Sequence, residues 1–254
     1  MKYLTIPLLL VTMYSCNDKH TTKIESKIIE SQDSKKVGDS IEIGYYDSFE
    51  KLPKFKLEAA SEDDFKKLKS ATTFIKDKIE NDKQNFYLQI AGKKVKFKNY
   101  ETNSENDFDG SEYLGYNSTF DLFAVQNNTV SDNLGFADID LINKTTGFKY
   151  KIISLSDWCG SVPLASPNNQ FLVYFQDPEY ESQNLSIVVL KVNDKNNPKT
   201  FLKEYASCFT ENGFSIEEIR WRDDHNFVIK AYKSENNDNG KEVKYYSYFS
   251  AKID

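Results

Sequence analysis

One stretch of the chain has the residue types and spacing of a calcium-binding loop. Glu105, Asp107 and Asp109 are acidic residues at alternate positions, and Gly110 follows them directly. Calcium loops use alternate oxygen ligands and a glycine that allows a sharp turn, and they need an acid at the twelfth position. This chain has Tyr116 there. The spacing therefore predicts a calcium candidate with an incomplete ligand set, and an acidic surface loop is the alternative.

A second group of potential ligands surrounds a histidine. His225 follows Asp223 and Asp224 and precedes Asn226. Three oxygen or nitrogen ligands so close together are able to contact a metal ion. The same residue types are also common in tight turns, which is the competing interpretation.

The familiar catalytic signatures are missing from the sequence. There is no G-x-S-x-G nucleophile elbow, no glycine-rich phosphate loop and no C-x-x-C pair. A Ser–His–Asp relay would have to use His225, because His20 lies in a polar N-terminal segment. The sequence favours a protein without enzymatic activity and without a cofactor. A hydrolase that uses acidic residues is the alternative.

The N-terminus has the parts of a bacterial export signal. Lys2 gives a positive start, an apolar run covers residues 4–13, and Met13-Tyr14-Ser15-Cys16 ends the segment. The run is shorter than the roughly 20 residues of a membrane-spanning helix and has the length of a signal-peptide core. The residues around Cys16 resemble the lipobox of bacterial lipoproteins, with the small Ser15 before the cleavage point.

The lipobox resemblance implies a defined maturation and location. Residues 1–15 would be removed as a signal peptide, and the Cys16 thiol would carry diacylglycerol. The new amino group would carry an acyl chain such as palmitate, and two or more chains hold a protein stably on a membrane. Asn17 stands where Asp would resemble an inner-membrane retention signal. The outer membrane is therefore expected, at its periplasmic face or at the cell surface.

Charge and cysteine content agree with export. The chain has 33 basic and 39 acidic side chains, and residues 1–15 hold only Lys2. The mature chain is therefore one unit more negative than the −6 of the whole chain, which argues against a nucleic-acid partner. Cys159 and Cys208 remain once Cys16 is lipidated. In an oxidising compartment they form either one disulfide or two separate buried thiols.

Composition divides the mature chain into a tether and one domain. Residues 16–40 are polar and lack Phe, Tyr and Trp, which is typical of a flexible tether. Residues 41–254 are expected to form a single mainly-β domain. Within it, residues 41–100 form an α+β lead-in, and residues 113–254 carry antiparallel strand repeats.

Two patterns define the lead-in. Ser61 precedes three acidic residues, and Asp64 stands at the capping-box position of a helix start. Apolar and β-branched residues continue at helical spacing and predict one helix near 62–80. From residue 85 the period changes to two, and the strands on either side of Ala91-Gly92 predict a hairpin.

The strand repeats begin at similar phenylalanines. Phe120, Phe171 and Phe227 recur at intervals of about 50 residues, near the upper end for propeller blades. Segments 165–171 and 221–227 each have the pattern of a strand, a tight polar turn and a returning strand. Both resemble the W-S-P-D-G-K-x-L turn of TolB-like and WD-like propeller blades. The expected fold is propeller-like or sandwich-like, or an open meander, because three repeats alone do not close a ring.

The layout of lipobox, tether, short helix and strand pairs also resembles uncharacterised Gram-negative lipoproteins, which implies no activity. Together these features favour a membrane-tethered, non-catalytic binding or scaffold domain of the cell envelope. Its expected partners are the membrane, through the lipid, and an envelope protein or glycan. An immunity or inhibitor lipoprotein is a further alternative, which a neighbouring toxin gene would indicate.

The lipid assignment predicts the fate of labelled palmitate. In bacteria grown with this label, the wild-type chain should become labelled, and Cys16→Ser should not, because the acceptor thiol is gone. Replacing Cys208 with Ser is the matched control and should leave the label in place. Equal labelling of the Cys16→Ser chain would contradict the assignment.

Overall fold

The computed structural model describes residues 40–44, 51–100, 109–131, 134–154, 160–176, 185–210, 213–237 and 239–254. This part of the chain is mainly β, as predicted, with sixteen strands in four sheets and two short helices. Pairing within the sheets is antiparallel apart from one parallel pair, β1 with β9. The helices are α1 (Glu62–Lys66) and α2 (Pro198–Phe201).

We number the sheets by their order along the chain and give their strands in the order of hydrogen-bonded neighbours. The first sheet contains β3 (Glu80–Asn81), β4 (Asn85–Ile90) and β5 (Lys93–Lys98). The second contains β1 (Ser40–Ile43), β9 (Lys149–Ile152), β8 (Leu134–Asn143), β7 (Leu122–Ser131) and β6 (Gly110–Asn117). The third contains β10 (Leu164–Ala165), β11 (Phe171–Phe175), β12 (Leu185–Val192) and β13 (Leu202–Thr210). The fourth contains β14 (Ser215–Trp221), β15 (Asn226–Asn236), β16 (Glu242–Lys252) and β2 (Leu57–Ala60).

Each sheet packs on the next one through a hydrophobic cluster. The cluster between the first and second sheets contains Phe86 and Val125. The cluster between the second and third sheets contains Leu141 and Leu172. The cluster between the third and fourth sheets contains Val173 and Ile229. The third sheet is covered on both faces, so all five residues of β11 are buried. Burial of each such side chain contributes about 1.5–3 kcal/mol, and a strand buried on both faces has a continuous apolar sequence.

The two N-terminal strands complete sheets that are built mainly from later parts of the chain. β2 pairs with β16, so Leu57 lies opposite Ala251 in the fourth sheet. β1 pairs with β9, so Glu42 lies opposite Lys151 in the second sheet. The lead-in is therefore not an independent unit, because the strands that begin it depend on residues far along the chain.

The predicted hairpin around Ala91-Gly92 is confirmed. β4 and β5 pair with Ile90 opposite Lys93, and both turn residues have positive φ, 51° at Ala91 and 70° at Gly92. This is the backbone sign that a two-residue turn of type I′ requires.

The predicted helix near 62–80 is wrong in length. Its start is confirmed, because Ser61 and Asp64 form a complete capping box, but α1 has five residues. Beyond it, the backbone of Ile75 exchanges two hydrogen bonds of 2.9 Å with Tyr116. That pairing holds the chain extended, buries Phe74 between the second and third sheets, and leaves Ile75 61% exposed. β-Branched residues favour this extended conformation.

The two turns with similar sequences are hydrogen-bonded to each other. Asp224, in the turn between β14 and β15, is only 8% exposed. Its carboxylate accepts a hydrogen bond from the Asn168 backbone N–H at 2.9 Å and one from the Asn168 amide at 2.7 Å. Asn168 lies in the turn between β10 and β11. This contact joins the third and fourth sheets at the ends of their strands.

We expect Asp224→Ala to destabilise the domain by about 1–3 kcal/mol, because it removes the carboxylate whose two charge-assisted hydrogen bonds to Asn168 join the turns. Unfolding in urea measures this loss. Asp63→Ala removes an exposed carboxylate from α1 and serves as the control, with little expected change. Equal free energies of unfolding for the two variants would show that the Asp224 contact is not structural.

Candidate functional site

The residues predicted as a calcium site fall mostly outside the described residues. Glu105 and Asp107 lie there, and Asp109 directly precedes β6. The calcium hypothesis therefore remains a prediction. Cys16 also lies outside the described part of the chain, so the lipidation site is not tested by the structure.

The predicted cysteine pair is described only in part. Cys208 is a buried free thiol on β13 within the described residues, and burial raises its pKa, an effect that the ammonium of Lys54 partly offsets. Cys159 lies outside the described residues. Its neighbour Gly160 pairs with Gln176 on the side of the third sheet away from β13. A disulfide between the two cysteines stays a prediction.

The polar residues around His225 support the turn interpretation. The Asp223 carboxylate accepts hydrogen bonds from the His225 backbone N–H at 2.8 Å and from the Asn226 amide at 2.8 Å. The His225 ring nitrogen Nδ1 lies 3.2 Å from the Ile253 carbonyl oxygen. The Asp223 carboxylate and the His225 ring therefore already have hydrogen-bond partners in this turn and at Ile253. Among the residues that the structure describes, no group of three or more His, Cys, Asp or Glu could hold a metal ion.

The strongest candidate site is a polar groove on the second sheet. One half of this face is apolar and packs on the first sheet through Phe123, Val125 and Ile142. The other half lines a pocket of about 350 Å³. We call it the charged groove, and its lining residues are Ser40, Glu42, Asn127, Thr129, Phe136, Asp138, Asp140, Lys149 and Lys151.

The charged groove follows from the period-two arrangement of its strands. Asp138 and Asp140 are alternate residues of β8, and Lys149 and Lys151 are alternate residues of β9. Alternate side chains of a strand share one face, so each pair projects into the groove. The backbone register then places Lys151 opposite Asp140 on one side and opposite Glu42 on the other.

The lysines of the groove are shared among its acids. Lys151 Nζ lies 3.5 Å from an Asp138 oxygen and 3.9 Å from a Glu42 oxygen, and Lys149 Nζ lies 3.8 Å from an Asp140 oxygen. These distances are longer than those of close hydrogen-bonded ion pairs. The Lys149, Lys151 and Glu42 side chains are 38–44% exposed. The pairs are loose and accessible, so a ligand can replace one partner at small cost.

Asp140 is the exception, because its side chain is only 13% exposed. Burial raises the pKa of its carboxyl above the usual value, and the charges of Lys149 and Lys151 and a hydrogen bond from Asn127 offset this only in part. A desolvated carboxyl with named charge partners in a groove marks a candidate functional site.

The groove provides binding chemistry of both signs. Three carboxylates, two ammonium groups and the Asn127 amide offer acceptors and donors on one concave face. Its lining residues include no histidine and no cysteine. The sequence prediction missed this site, although the alternating acids of β8 and the alternating lysines of β9 were a visible signal.

Comparison with known proteins leaves the chain without a match: no protein-family model, no curated protein and no solved structure matches it. Within the described residues, neither helix has the length and apolar character needed to cross a membrane.

The raised pKa of Asp140 predicts an unusual pH dependence. Because its pKa is higher in the folded state than the ordinary 3.8, ionisation opposes folding. This cost is absent below pH 3.8. It grows between pH 3.8 and the folded-state pKa, because the carboxyl is ionised in the unfolded chain and still protonated in the folded one, and it is constant at higher pH. We therefore expect Asp140→Asn to be at least as stable as the wild type at pH 7, with no gain at pH 3.5.

Thermal unfolding midpoints between pH 3.5 and pH 8 test this expectation. Asp138→Asn is the matched control, because it makes the same change on the same strand in a side chain that is 33% exposed. If Asp140→Asn lost as much stability at pH 7 as this control, ionised Asp140 would not carry the cost described.

Proposed function

We propose that this protein is a lipid-anchored binding domain of the bacterial cell envelope and that it holds its partner in the charged groove. The observation that carries the proposal is the row Asp140, Lys151 and Glu42, which presents alternating charges across three neighbouring strands. Such a row of charges would destabilise a sheet face that is buried in the core. On an accessible face, a partner can replace one charge of each ion pair with a charged group of its own.

The anchor rests on the lipobox resemblance at Cys16 and on the polar segment 16–40, which separates it from β1. β1 supplies Ser40 and Glu42 to the groove. The proposed location is the outer membrane, at its periplasmic face or on the cell surface. The acyl chains bind the lipid, and the domain binds an envelope partner.

For the fold, we propose a propeller-like arrangement rather than a sandwich. Four sheets follow each other in chain order, and each packs on the next. β2 completes the fourth sheet beside β16, so an early strand belongs to the last sheet. A sandwich would need only one interface between two sheets, whereas three such interfaces support a succession of blades.

A protein segment fits the groove better than a neutral glycan. Charges of both signs line the groove, and protein partners carry both signs as well. The partner's own acids and bases would replace the loose pairs at Lys149 and Lys151, which gives specificity more than raw affinity. Inhibition of another protein, as in an immunity lipoprotein, would use the same face.

A hydrolase is the second candidate, and Asp140 favours it. A buried carboxyl with a raised pKa is the property of a general acid. In that case the wild type would release products from envelope polysaccharide or peptide, and Asp140→Asn would not. The binding proposal expects no product from either chain.

The binding proposal is tested by capture from envelope extracts. The mature chain without its lipid, residues 17–254, is immobilised, and the captured proteins are identified by mass spectrometry. A groove variant, Asp138→Asn with Lys151→Gln, removes the closest charge pair at almost constant shape. We expect it to recover at least tenfold less of the partner, a change of about 1.4 kcal/mol.

The matched control is Glu80→Gln with Lys94→Gln, which removes an exposed ion pair of the first sheet. It should capture as much partner as the wild type. Two results would overturn the proposal: equal recovery by the groove variant, or no partner above background for the wild type.

A further inference from the structure

A second polar pocket lies on the fourth sheet, far along the chain from the charged groove. Its volume is about 420 Å³. Its walls carry Lys56, Arg222 and Lys252, together with the polar side chains of Asn226 and Ser250. We call these five residues the basic pocket. Lys54 also lines the pocket, but its Nζ donates a hydrogen bond to Ser207 Oγ on the third sheet.

The three cations stand in one row across the sheet. Lys252 lies opposite Asn226, and the Arg222 backbone N–H donates to the Asn226 carbonyl oxygen at 2.8 Å. Leu57 lies opposite Ala251, and antiparallel pairing therefore brings Lys56, one residue earlier, beside Lys252. Like charges in such neighbouring positions oppose folding.

Acidic residues compensate this row only weakly. The pocket also contains Glu58 and Asp254. Asp254 reaches Lys252 at 3.9 Å with its own side chain fully exposed, where a pair contributes little. Among the described residues, neither Lys56 nor Arg222 has an acid within ion-pair distance. The Arg222 charge does act on Asp64 of α1, where it is the smallest of several influences that lower the pKa of that carboxyl.

We propose that the basic pocket binds a phosphate group. Arg222 has the planar fork that suits two phosphate oxygens, and the two ammonium groups act as point charges beside it. The Ser250 hydroxyl lies in the same row, and its hydrogen bond to the Glu58 carbonyl oxygen is long at 3.5 Å, whereas the Asn226 amide already donates to the Asp223 carboxylate. The phosphate belongs either to a lipid headgroup or to a soluble phosphate compound, because both present the same oxygens.

This site is independent of the charged groove. The two pockets lie on different sheets and share no lining residue. Loss of partner capture through Asp138 and Lys151 would therefore leave phosphate binding unchanged, and the reverse also holds.

The test uses the mature chain without its lipid, residues 17–254, and two probes. Inorganic phosphate is titrated by calorimetry, with chloride at equal ionic strength as the reference anion. Vesicles of phosphatidylcholine, with and without phosphatidylglycerol, are tested by co-sedimentation. The pocket variant is Lys56→Gln with Arg222→Gln, two exposed side chains whose replacement should leave the fold intact. Circular dichroism and unfolding in urea confirm that it does.

The control variant is Lys96→Gln with Lys98→Gln on β5, which removes the same number of exposed positive charges from another sheet. We expect the pocket variant to bind at least one probe at least tenfold more weakly than the wild type, and the control to bind like the wild type. Phosphate binding identifies a soluble source, and binding only to phosphatidylglycerol vesicles identifies a headgroup. Equal weakening in both variants, or no binding of either probe by the wild type, would overturn the proposal.

Discussion

The burial of the third sheet on both faces is the constraint on which the rest of the structure depends. The strands β11 and β12 have almost no polar side chain on either face, so the third sheet needs a neighbour on each side. The second sheet supplies one cover through Leu141, and the fourth supplies the other through Ile229. A chain that alternates short strands and turns satisfies this demand most simply by packing each sheet on the one before it.

The same constraint explains where charge is allowed. The first sheet covers only the half of the second sheet that holds Phe123 and Val125. The remaining half meets no described sheet, and it carries the acids of β8 and the lysines of β9. The outer face of the fourth sheet also meets no further described sheet. The helix α1 covers part of it through Phe65, which contacts Tyr248 and Arg220, and the basic pocket lies on another part. Both polar sites lie where the succession of hydrophobic interfaces stops.

Local features were predictable from the sequence, and long-range pairings were not. The turns within 165–171 and 221–227, the Ala91-Gly92 turn and the Ser61 cap depend on residues close in sequence, and the structure has them as expected. The helix expected near 62–80 stops early because Ile75 pairs with Tyr116, a contact that periodicity does not contain. The charged groove depends on the pairing of β1 with β9, which are more than 100 residues apart in the chain. The sequence shows its acids and lysines, but it does not show that they lie side by side.

The central proposal is that a partner in the envelope covers the charged groove, and lysine footprinting tests it directly. The membrane fraction of the producing bacterium is treated with an acetylating reagent, and the purified chain 17–254 is treated separately with the same reagent. Each lysine of the protein is then quantified by mass spectrometry. The account predicts that Lys149 and Lys151 are protected in membranes and reactive in the purified chain, while the exposed Lys96 and Lys98 react in both. Equal reactivity of Lys149 and Lys151 in the two preparations would contradict it.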